Sequence, residues 1–358
     1  MIRFNKSKKQ RGILIIDLMI GLLMSSVTIL ALFGIYSKFE GDKRAAVQVN
    51  NTLSDLYFAL DPIKNTTQMV GWSIPFGDEL NCNVYGQNAT MGNSFSFNLL
   101  PLKINPGSNV LNSDDMTLIV GGSNYVFSPL KLTAPFFKAS TNLSLEKVPP
   151  NFYVDNSSNN IPAKEFGILF ETNKKCNLNE YKIYNNTITR PNNGYEASLQ
   201  QNFSLNPNGG LTNGEDYSIG SSFFLFGKDF KVIKFHQENN QLKMSDVING
   251  KNTVIADNII LLKLRYGLDT DNNGTIDSFS NSFTDFKQVK ALKVGVLGKS
   301  PIKEKKKNNE CIVTKNNIIK FGDENIDISN ISNDQDWACY RYRFVSTEIE
   351  LRNLRWLP

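Results

Sequence analysis

The chain of 358 residues contains one histidine, His236, and four cysteines with no CxxC pair among them. A zinc site built from Cys and His therefore has too few ligands to organise this protein. There is no GxSxG, no HExxH and no glycine-rich nucleotide loop, so the short patterns that carry a catalytic mechanism are missing and no enzymatic chemistry is expected. His236, between Phe235 and Gln237 in a β-like run, reads as a surface or interface residue rather than a catalytic base. No segment repeats at a fixed period, which argues against a repeat architecture. A real excess of charge is also lacking. The formal charge is +5, but five of the 39 Lys and Arg (Arg3, Lys6, Lys8, Lys9 and Arg11) lie in the first 12 residues, and the other 34 equal the 34 Asp and Glu. The remaining chain has no basic surplus with which to bind a phosphate backbone, so nucleic acid is not an expected partner.

What the chain does have is one long apolar run. Residues 13–36, ILIIDLMIGLLMSSVTILALFGIY, carry a single charge, Asp17. About 20 apolar residues at 1.5 Å rise each cross the roughly 30 Å core of a bilayer. A carboxylate inside such a helix costs on the order of 2.5 to 3.5 kcal/mol on insertion scales, so it needs a use. The basic stub before the run places that end in the cytoplasm and exports the rest. A secretory signal peptide has a shorter apolar region, of about 7 to 15 residues, with small residues and a cleavage site after it. Here the processing mark, Gly12, precedes the apolar run, and cleavage there leaves the helix on the mature protein.

Gly12 followed by Ile13, Leu14, Ile15, Ile16 and Asp17 resembles the class III signal of type IV prepilins and pseudopilins. That resemblance implies cleavage after Gly12 by a dedicated membrane peptidase and methylation of the new N-terminus. The family pattern has Phe at the first mature position and Glu at the fifth. Ile13 and Asp17 stand there in this chain, and Asp17 keeps the charge on a side chain one methylene shorter. Gly21 and Ser25, four residues apart, are small enough to let helices approach closely.

Past the span, residues 38–50 are polar, and Leu53, Leu56, Tyr57, Leu60 and Ile63 follow the spacing of a buried helical stripe. Asp61-Pro62 either kinks the helix or restarts it, Gly34 is a point where it can bend, and Gly71-Trp72 ends it. The remainder consists of short β-like runs between Asn, Gly, Ser, Asp and Pro. Strands are expected at 95–100, 116–120, 166–170, 221–226, 230–235, 259–266, 288–297 and 339–351. The pattern after Val289 needs a register change, and a bulge near Val345 reconciles Tyr340, Tyr342 and Phe344 with the out-of-phase Thr347, Ile349 and Leu351. Asn-rich stretches at 151–160 and 185–214 read as inserted loops. Lys303, Lys305, Lys306 and Lys307 around Glu304 read as a solvated loop. In an oxidising compartment Cys82, Cys176, Cys311 and Cys339 form two disulfides. Three connectivities exist, and Cys82–Cys176 with Cys311–Cys339 is the one expected. A bridge closing the shorter loop is worth about 3 to 4 kcal/mol in the chain-entropy picture.

A second resemblance lies near the C-terminus. Asp257-Asn258-Ile259-Ile260, then Leu264 through Asp277 (LRYGLDTDNNGTID), the run at 288–297, and Arg341-Tyr342-Arg343-Phe344 leading to Glu350-Leu351-Arg352-Asn353 are similar to the C-terminal half of the PilW family of minor pilins. The helix ending before Cys82 is similar to that family's N-terminal half. Within the hairpin, Asp269, Asp271, Asn273, Gly274 and Asp277 occupy positions 1, 3, 5, 6 and 9 of a calcium loop, with the Thr275 carbonyl as a further oxygen. Position 12, usually Glu, is Ser280. The same residues also suit a tight turn with no ion.

These readings combine into an α+β protein: a leader (1–12), a pilin helix (13–71, transmembrane over 13–36 and then amphipathic) packed on a large antiparallel β-rich domain (72–358) of one or two lobes. The resemblance implies a non-enzymatic minor pilin that takes part in type IV pilus initiation and tip structure. Its partners would be the other minor pilins, the major pilin, the prepilin peptidase and the inner-membrane assembly platform. It would sit in the inner membrane with a periplasmic domain and enter the pilus on assembly. Ca²⁺ is the one cofactor candidate. A J-like minor pseudopilin of type II secretion, or a single-pass anchored adhesin, remain open as alternatives.

Overall fold

The computed structural model describes residues 15–71, 74, 82–88, 92–121, 129–138, 140, 142–146, 165–184, 195–199, 215–227, 229–304, 310–311, 313–331 and 336–353. Gly12 and Ile13 lie outside the described residues. Helix α1 (Ile15–Met69) runs through Gly34 and Pro62 without a break, and near the proline Asp61 accepts a hydrogen bond from the Asn65 side-chain amide at 3.1 Å. It stops where Gly71 takes φ 87°, with the Val70 amide turned back onto the Thr67 carbonyl. Only glycine enters that region without strain. The chain divides into two units, Met1–Asn51 and Thr52–Pro358.

In the second unit, Thr52, Leu56, Ala59, Leu60, Ile63 and Thr67 form the buried face of the helix. Leu56, Leu60 and Ile63 are where the pattern places them, but Tyr57 is exposed and Leu53 only half-buried. The stripe is rotated toward its small members because a glycine faces it. A Cβ on Gly298 would lie 3.2 Å from Thr52 Cγ2 and 3.3 Å from Leu56 Cδ2, so helix and strand meet at near-backbone distance. Each large apolar side chain buried here contributes about 1.5 to 3 kcal/mol. The Asn353 side chain then donates to the carbonyls of Gln68 and Val70, at 3.4 and 3.1 Å, and so caps the helix from the far end of the chain.

Three larger sheets and a hairpin make up the β structure. The eight-stranded sheet contains β1 (Asn83–Asn88), β2 (Asn93–Asn98), β5 (Leu130–Lys131), β6 (Asn142–Leu145), β7 (Glu165–Phe170), β8 (Cys176–Tyr184), β9 (Tyr195–Leu199) and β10 (Ser222–Gly227). Its order is β2-β1-β8-β7-β10-β5, with β9 joining β8 to β6. Pairing is antiparallel except between β1 and β8. The five-stranded sheet, β13-β12-β11-β4-β3, uses β3 (Leu102–Asn105), β4 (Asp115–Val120), β11 (Lys231–Glu238), β12 (Gln241–Asp246) and β13 (Lys251–Asp257). The four-stranded sheet, β15-β14-β16-β19, uses β14 (Ile259–Leu268), β15 (Ser278–Ser280), β16 (Val289–Lys299) and β19 (Tyr342–Glu350). β17 (Ile318–Phe321) and β18 (Glu324–Asp327) form a hairpin inside the excursion between β16 and β19. All eight expected strands are present, as β2, β4, β7, β10, β11, β14, β16 and β19.

The register change after Val289 is real. Gly267 pairs with Ala291 and Leu268 with Val289, leaving Lys290 bulged. The bulge near Val345 does not exist: β16 and β19 stay in step from Ala291–Glu350 to Lys299–Tyr342. The phase change in the sequence has another cause. Tyr342 and Phe344 face a small core with Phe321, Ile326 and Ile328, while Val345 and Ile349 face the main core on the opposite side. One regular strand thus feeds two cores in turn. Residues 195–199, expected within a loop, form β9; the described part of that stretch pairs with β6 and β8.

β14 also has an open edge. Beyond its short pairing with β15 at Tyr266–Leu268, its polar groups face Ser113 and Asp114, the two residues that lead into β4. The Asp114 amide donates to the Leu262 carbonyl (2.8 Å), the Leu262 amide to Ser113 Oγ (3.1 Å) and the Leu264 amide to Asp114 Oδ2 (2.8 Å). Asp114, 1% exposed, also accepts from Lys263 Nζ (3.2 Å), Arg265 Nη1 (3.2 Å) and the Gly107 amide (2.9 Å), and Lys263 is itself 2% exposed. Lys263 finds a further acceptor in the Asn112 carbonyl at 2.7 Å. Removing one partner of a buried pair strands the other charge. Asp114→Ala should accordingly lower the unfolding free energy of the full chain by about 3 to 5 kcal/mol in urea titration. A loss below about 1 kcal/mol would mean that the pair is not buried as described.

Candidate functional site

The first candidate region is the apolar part of α1. It is the one helix among the described residues that is long and apolar enough to cross a membrane, and its apolar window is not buried by the protein. Its large side chains from Ile15 to Tyr36 are exposed, with Asp17 the only charge among them. Around Gly21 nothing lies within 4 Å of a built Cβ, and Ser25 satisfies its hydroxyl within the helix by donating to the Leu22 carbonyl at 2.9 Å. The small residues therefore leave a notch without exposing an unpaired polar group.

The second is the loop from Asp269 to Asp277, held between the end of β14 and the start of β15. The Asp269 amide donates to the Gln288 carbonyl and the Asp277 amide to the Leu268 carbonyl, both at 2.8 Å, so both loop ends are fixed. Asp269 is buried and accepts the amides of Asn273 and Gly274, each at 3.0 Å. Asp271 accepts the Asn273 amide at 3.1 Å, and Asn273 Oδ1 accepts the Thr275 amide at 2.7 Å. Gly274, at φ 86°, provides the turn. Asp277 accepts both the amide and hydroxyl of Thr270 at 2.7 Å, and these bonds hold its carboxyl below the usual range. Asp269, Asp271 and Asp277 each present a carboxylate oxygen, all within 4.8 Å of one another. Ser280 is not at the cluster: it sits in β15 opposite Tyr266 and accepts the Ser282 amide. The sequence pattern thus brings three acids together and leaves the twelfth position outside.

The cysteines pair as Cys82–Cys176, with Cα atoms 6.1 Å apart, and Cys311–Cys339, at 4.3 Å. The first lies at the start of the parallel contact between β1 and β8, where Val84 pairs with Cys176. The second closes the excursion between β16 and β19. At the neck of that excursion the Ser300 amide donates to the Arg341 carbonyl (2.8 Å), and Arg341 clamps Glu304 with two bonds of 2.7 and 2.9 Å. Lys303 pairs with Asp336. The stretch expected to be solvated is therefore tied down at Lys303 and Glu304, because the neck needs closing; Lys305, Lys306 and Lys307 lie outside the described residues.

His236 lies on β11 opposite Lys243, its ring 3.5 Å from the Ser245 hydroxyl, and burial together with the nearby Lys234 pushes its pKa down. It forms no base–nucleophile pair with a positioned third group. Glu171 is half-buried beside the turn at residues 218–221. It clasps two turns by accepting from Lys174 (2.8 Å), from the Ser218 amide (2.7 Å) and from the Ser221 hydroxyl (2.8 Å). Burial raises its pKa, but those bonds and the Lys174 charge outweigh it and hold the carboxyl down to about 2. Neither the Glu171 clasp nor the Asp114 junction was read from the sequence. The alternation Leu262-Lys263-Leu264-Arg265 inside an apolar strand was the available signal for the junction.

A carboxyl depressed on folding stabilises the protein above its ordinary pKa, near 4.5, and loses that contribution as pH falls toward 2. Glu171→Gln should therefore lower the melting temperature at pH 7, with the gap from wild type closing progressively between about pH 4.5 and 2. A gap that stayed constant over that range would show that the clasp does not depend on charge.

Residues 236–353 match the family model for type IV pilus-assembly protein W. The matched stretch runs from the second half of β11 through the whole four-stranded sheet to Asn353. No curated protein and no solved structure matches the chain. The matched part is similar to that family, and the match supports a role in type IV pilus assembly with association to pilus components and the membrane.

Proposed function

We propose that this chain is a minor pilin that helps to start a type IV pilus and is built into its tip, without enzymatic activity. The observation that carries the reading is the exposed apolar helix with one internal carboxylate, in the same chain as a sheet domain similar to the pilus-assembly family. In this reading residues 1–12 are removed by the prepilin peptidase, leaving Ile13 as the methylated N-terminus. Residues 13–36 hold the protein in the inner membrane with residues 72–358 on the periplasmic side, until the assembly platform moves it into the pilus beside the other minor pilins and the major pilin. Asp17 pairs with the N-terminal ammonium of a neighbouring subunit. A misregistered helix leaves both charges unpaired in an apolar setting, which costs several kcal/mol and selects the correct stagger. Gly21 and Ser25 let the helices come close enough for that pair.

Mass spectrometry of the membrane-extracted protein should find Ile13 as the first residue, and Gly12→Ala should block the cut. Intact Met1 in cells with an active prepilin peptidase would defeat the pilin reading and favour an anchored adhesin. Asp17→Asn should leave membrane levels similar while pilus counts fall; unchanged piliation in a strain without redundant minor pilins would remove the register role.

The Asp269 loop adds a second proposal: Ca²⁺ held by Asp269, Asp271, Asn273 and Asp277, with the Thr275 carbonyl and water completing the shell. Three carboxylates fixed within 4.8 Å are hard oxygen donors of the kind calcium takes, and a cation would relieve their repulsion. Without an acid at Ser280 the affinity is at best moderate. Millimolar calcium should raise the melting temperature of the wild-type chain through mass action, and the double variant Asp269→Ala, Asp271→Ala should lose that rise. Equal responses, or no response in wild type, would leave the segment as a hydrogen-bonded turn.

A further inference from the structure

Among the described residues, three clefts in the sheet domain differ in how their charges are used. In the first, Glu171 is saturated by Lys174, Ser218 and Ser221, and Lys131 donates to Ser222. In the second, Arg265 is paired with Asp114 and Glu324, and Lys293 with Glu348. The third, of about 400 Å³, opens where the five-stranded and four-stranded sheets meet, between the 109–113 loop, the β11–β12 turn and Ile331. Its lining contains one charged side chain, Lys299, and no acid. Among the described residues Lys299 has no carboxylate partner; its ammonium lies over the Tyr340 ring, 4.3 Å from the centroid.

The other polar liners are Asn112, Ser113, Gln237 and Asn240; hydrogen bonds hold the side chains of the first three and the backbone of the fourth. The Asn112 side-chain amide donates to Ser108 Oγ, and its backbone carbonyl takes the buried Lys263. Ser113 donates to Gln237 Oε1 at 3.1 Å, and Gln237 passes a hydrogen of its own to the Ile259 carbonyl at 3.1 Å. Asn240, left-handed at φ 58°, is held by the Ile259 amide on its carbonyl at 3.0 Å, and Lys299 by its own amide on the Asn258 carbonyl at 2.9 Å. A cleft within the usual size range for small ligands, about 300 to 1,000 Å³, with preorganised amide and hydroxyl groups around a lone cation, is built for an anion rich in hydrogen-bonding groups. We propose that it binds an acidic sugar of the uronic acid type, the carboxylate on Lys299, the ring hydroxyls on the Asn112, Asn240 and Gln237 amides, which can both donate and accept, and one hydroxyl proton on the acceptor site left at Ser113 Oγ. An acidic peptide side chain would satisfy Lys299 but leave the amides unmatched. This site is independent of the pilus reading, because it lies wholly within the sheet domain and needs no assembly.

The test is equilibrium dialysis of the full chain in detergent micelles with labelled glucuronate at low ionic strength. Wild type should bind saturably, with glucose and N-acetylglutamate each about tenfold weaker or worse. Lys299→Gln should lower affinity at least about tenfold while Lys299→Arg, which keeps the charge, retains most of it. Melting curves of both variants establish that they fold, and glucuronate should protect Lys299 of the wild type from amine acetylation read by peptide mass spectrometry. Absence of saturable binding to wild type, equal binding by Lys299→Gln, or no protection of Lys299 would overturn the proposal. N-acetylglutamate binding as tightly as glucuronate would overturn the sugar assignment in favour of an acidic peptide group.

Discussion

The open edge of β14 is the constraint on which the sheet domain depends. A strand with unpaired amides and carbonyls in a protein interior leaves each of them costly, and β15 is only three residues long. Ser113 and Asp114 supply what a neighbouring strand would, two residues before the chain enters β4. The same carboxylate draws Lys263 and Arg265 into a buried cluster, so joining the two sheets and satisfying the edge are one event. The Tyr266 hydroxyl extends the junction by accepting the Ile104 amide of β3, and burial pushes its pKa up to about 12. A buried ion pair is a weak source of stability in itself. Here its geometric effect is larger: it fixes the register between sheets that share no continuous ladder.

Once β14 is set, β16 follows through two register shifts and β19 then pairs with β16 in regular step, and β16 offers Gly298 to the helix. The close approach at Thr52 and Leu56 depends on the missing Cβ, and the Asn353 cap depends on β19 ending where it does. Asn353 therefore completes the C-terminal end of α1. Bulk at Gly298 would push the helix off its seat, and loss of Asn353 would remove its donor from the carbonyls of Gln68 and Val70 at the helix end.

The elements legible in the sequence were those governed by local rules. Exposed alternation and turn residues located eight strands, and the i, i+3, i+4, i+7 spacing found Leu56, Leu60 and Ile63. The misplacements share one origin, in which burial was assumed to come from a single partner. Tyr57 was put inside by its spacing, whereas the close seat at Gly298 turns Thr52 and Leu56 inward, and a bulge was expected at Val345 because two cores on opposite faces of β19 look, in one dimension, like a slip in phase. Asp114 lies 149 residues from Lys263. No window of sequence shows that a turn aspartate and a strand lysine neutralise each other. The acid loop was legible for the opposite reason, since its hydrogen bonds join residues two to seven positions apart.

The extent of the family match follows this division. It takes in β14, β16 and β19, the acid loop, and the seat at Gly298 and the Asn353 cap that hold the part of α1 from Thr52 onward. It omits the whole eight-stranded sheet, whose strands all end before residue 236 and whose β8 is stapled by Cys82–Cys176 to the residue that precedes β1. A part that must hold a helix at a fixed seat is constrained at every contact, because a single added methyl at Gly298 already crowds Thr52 and Leu56. The eight-stranded sheet shares the main core on one face, through Val84, Phe97, Ile168, Phe224 and Phe226, while its other face closes a separate core in which Tyr181, Tyr217 and Phe223 are buried together. Changes on that second face leave the seat undisturbed, whereas Gly298 and Asn353, both within residues 236–353, meet the helix directly.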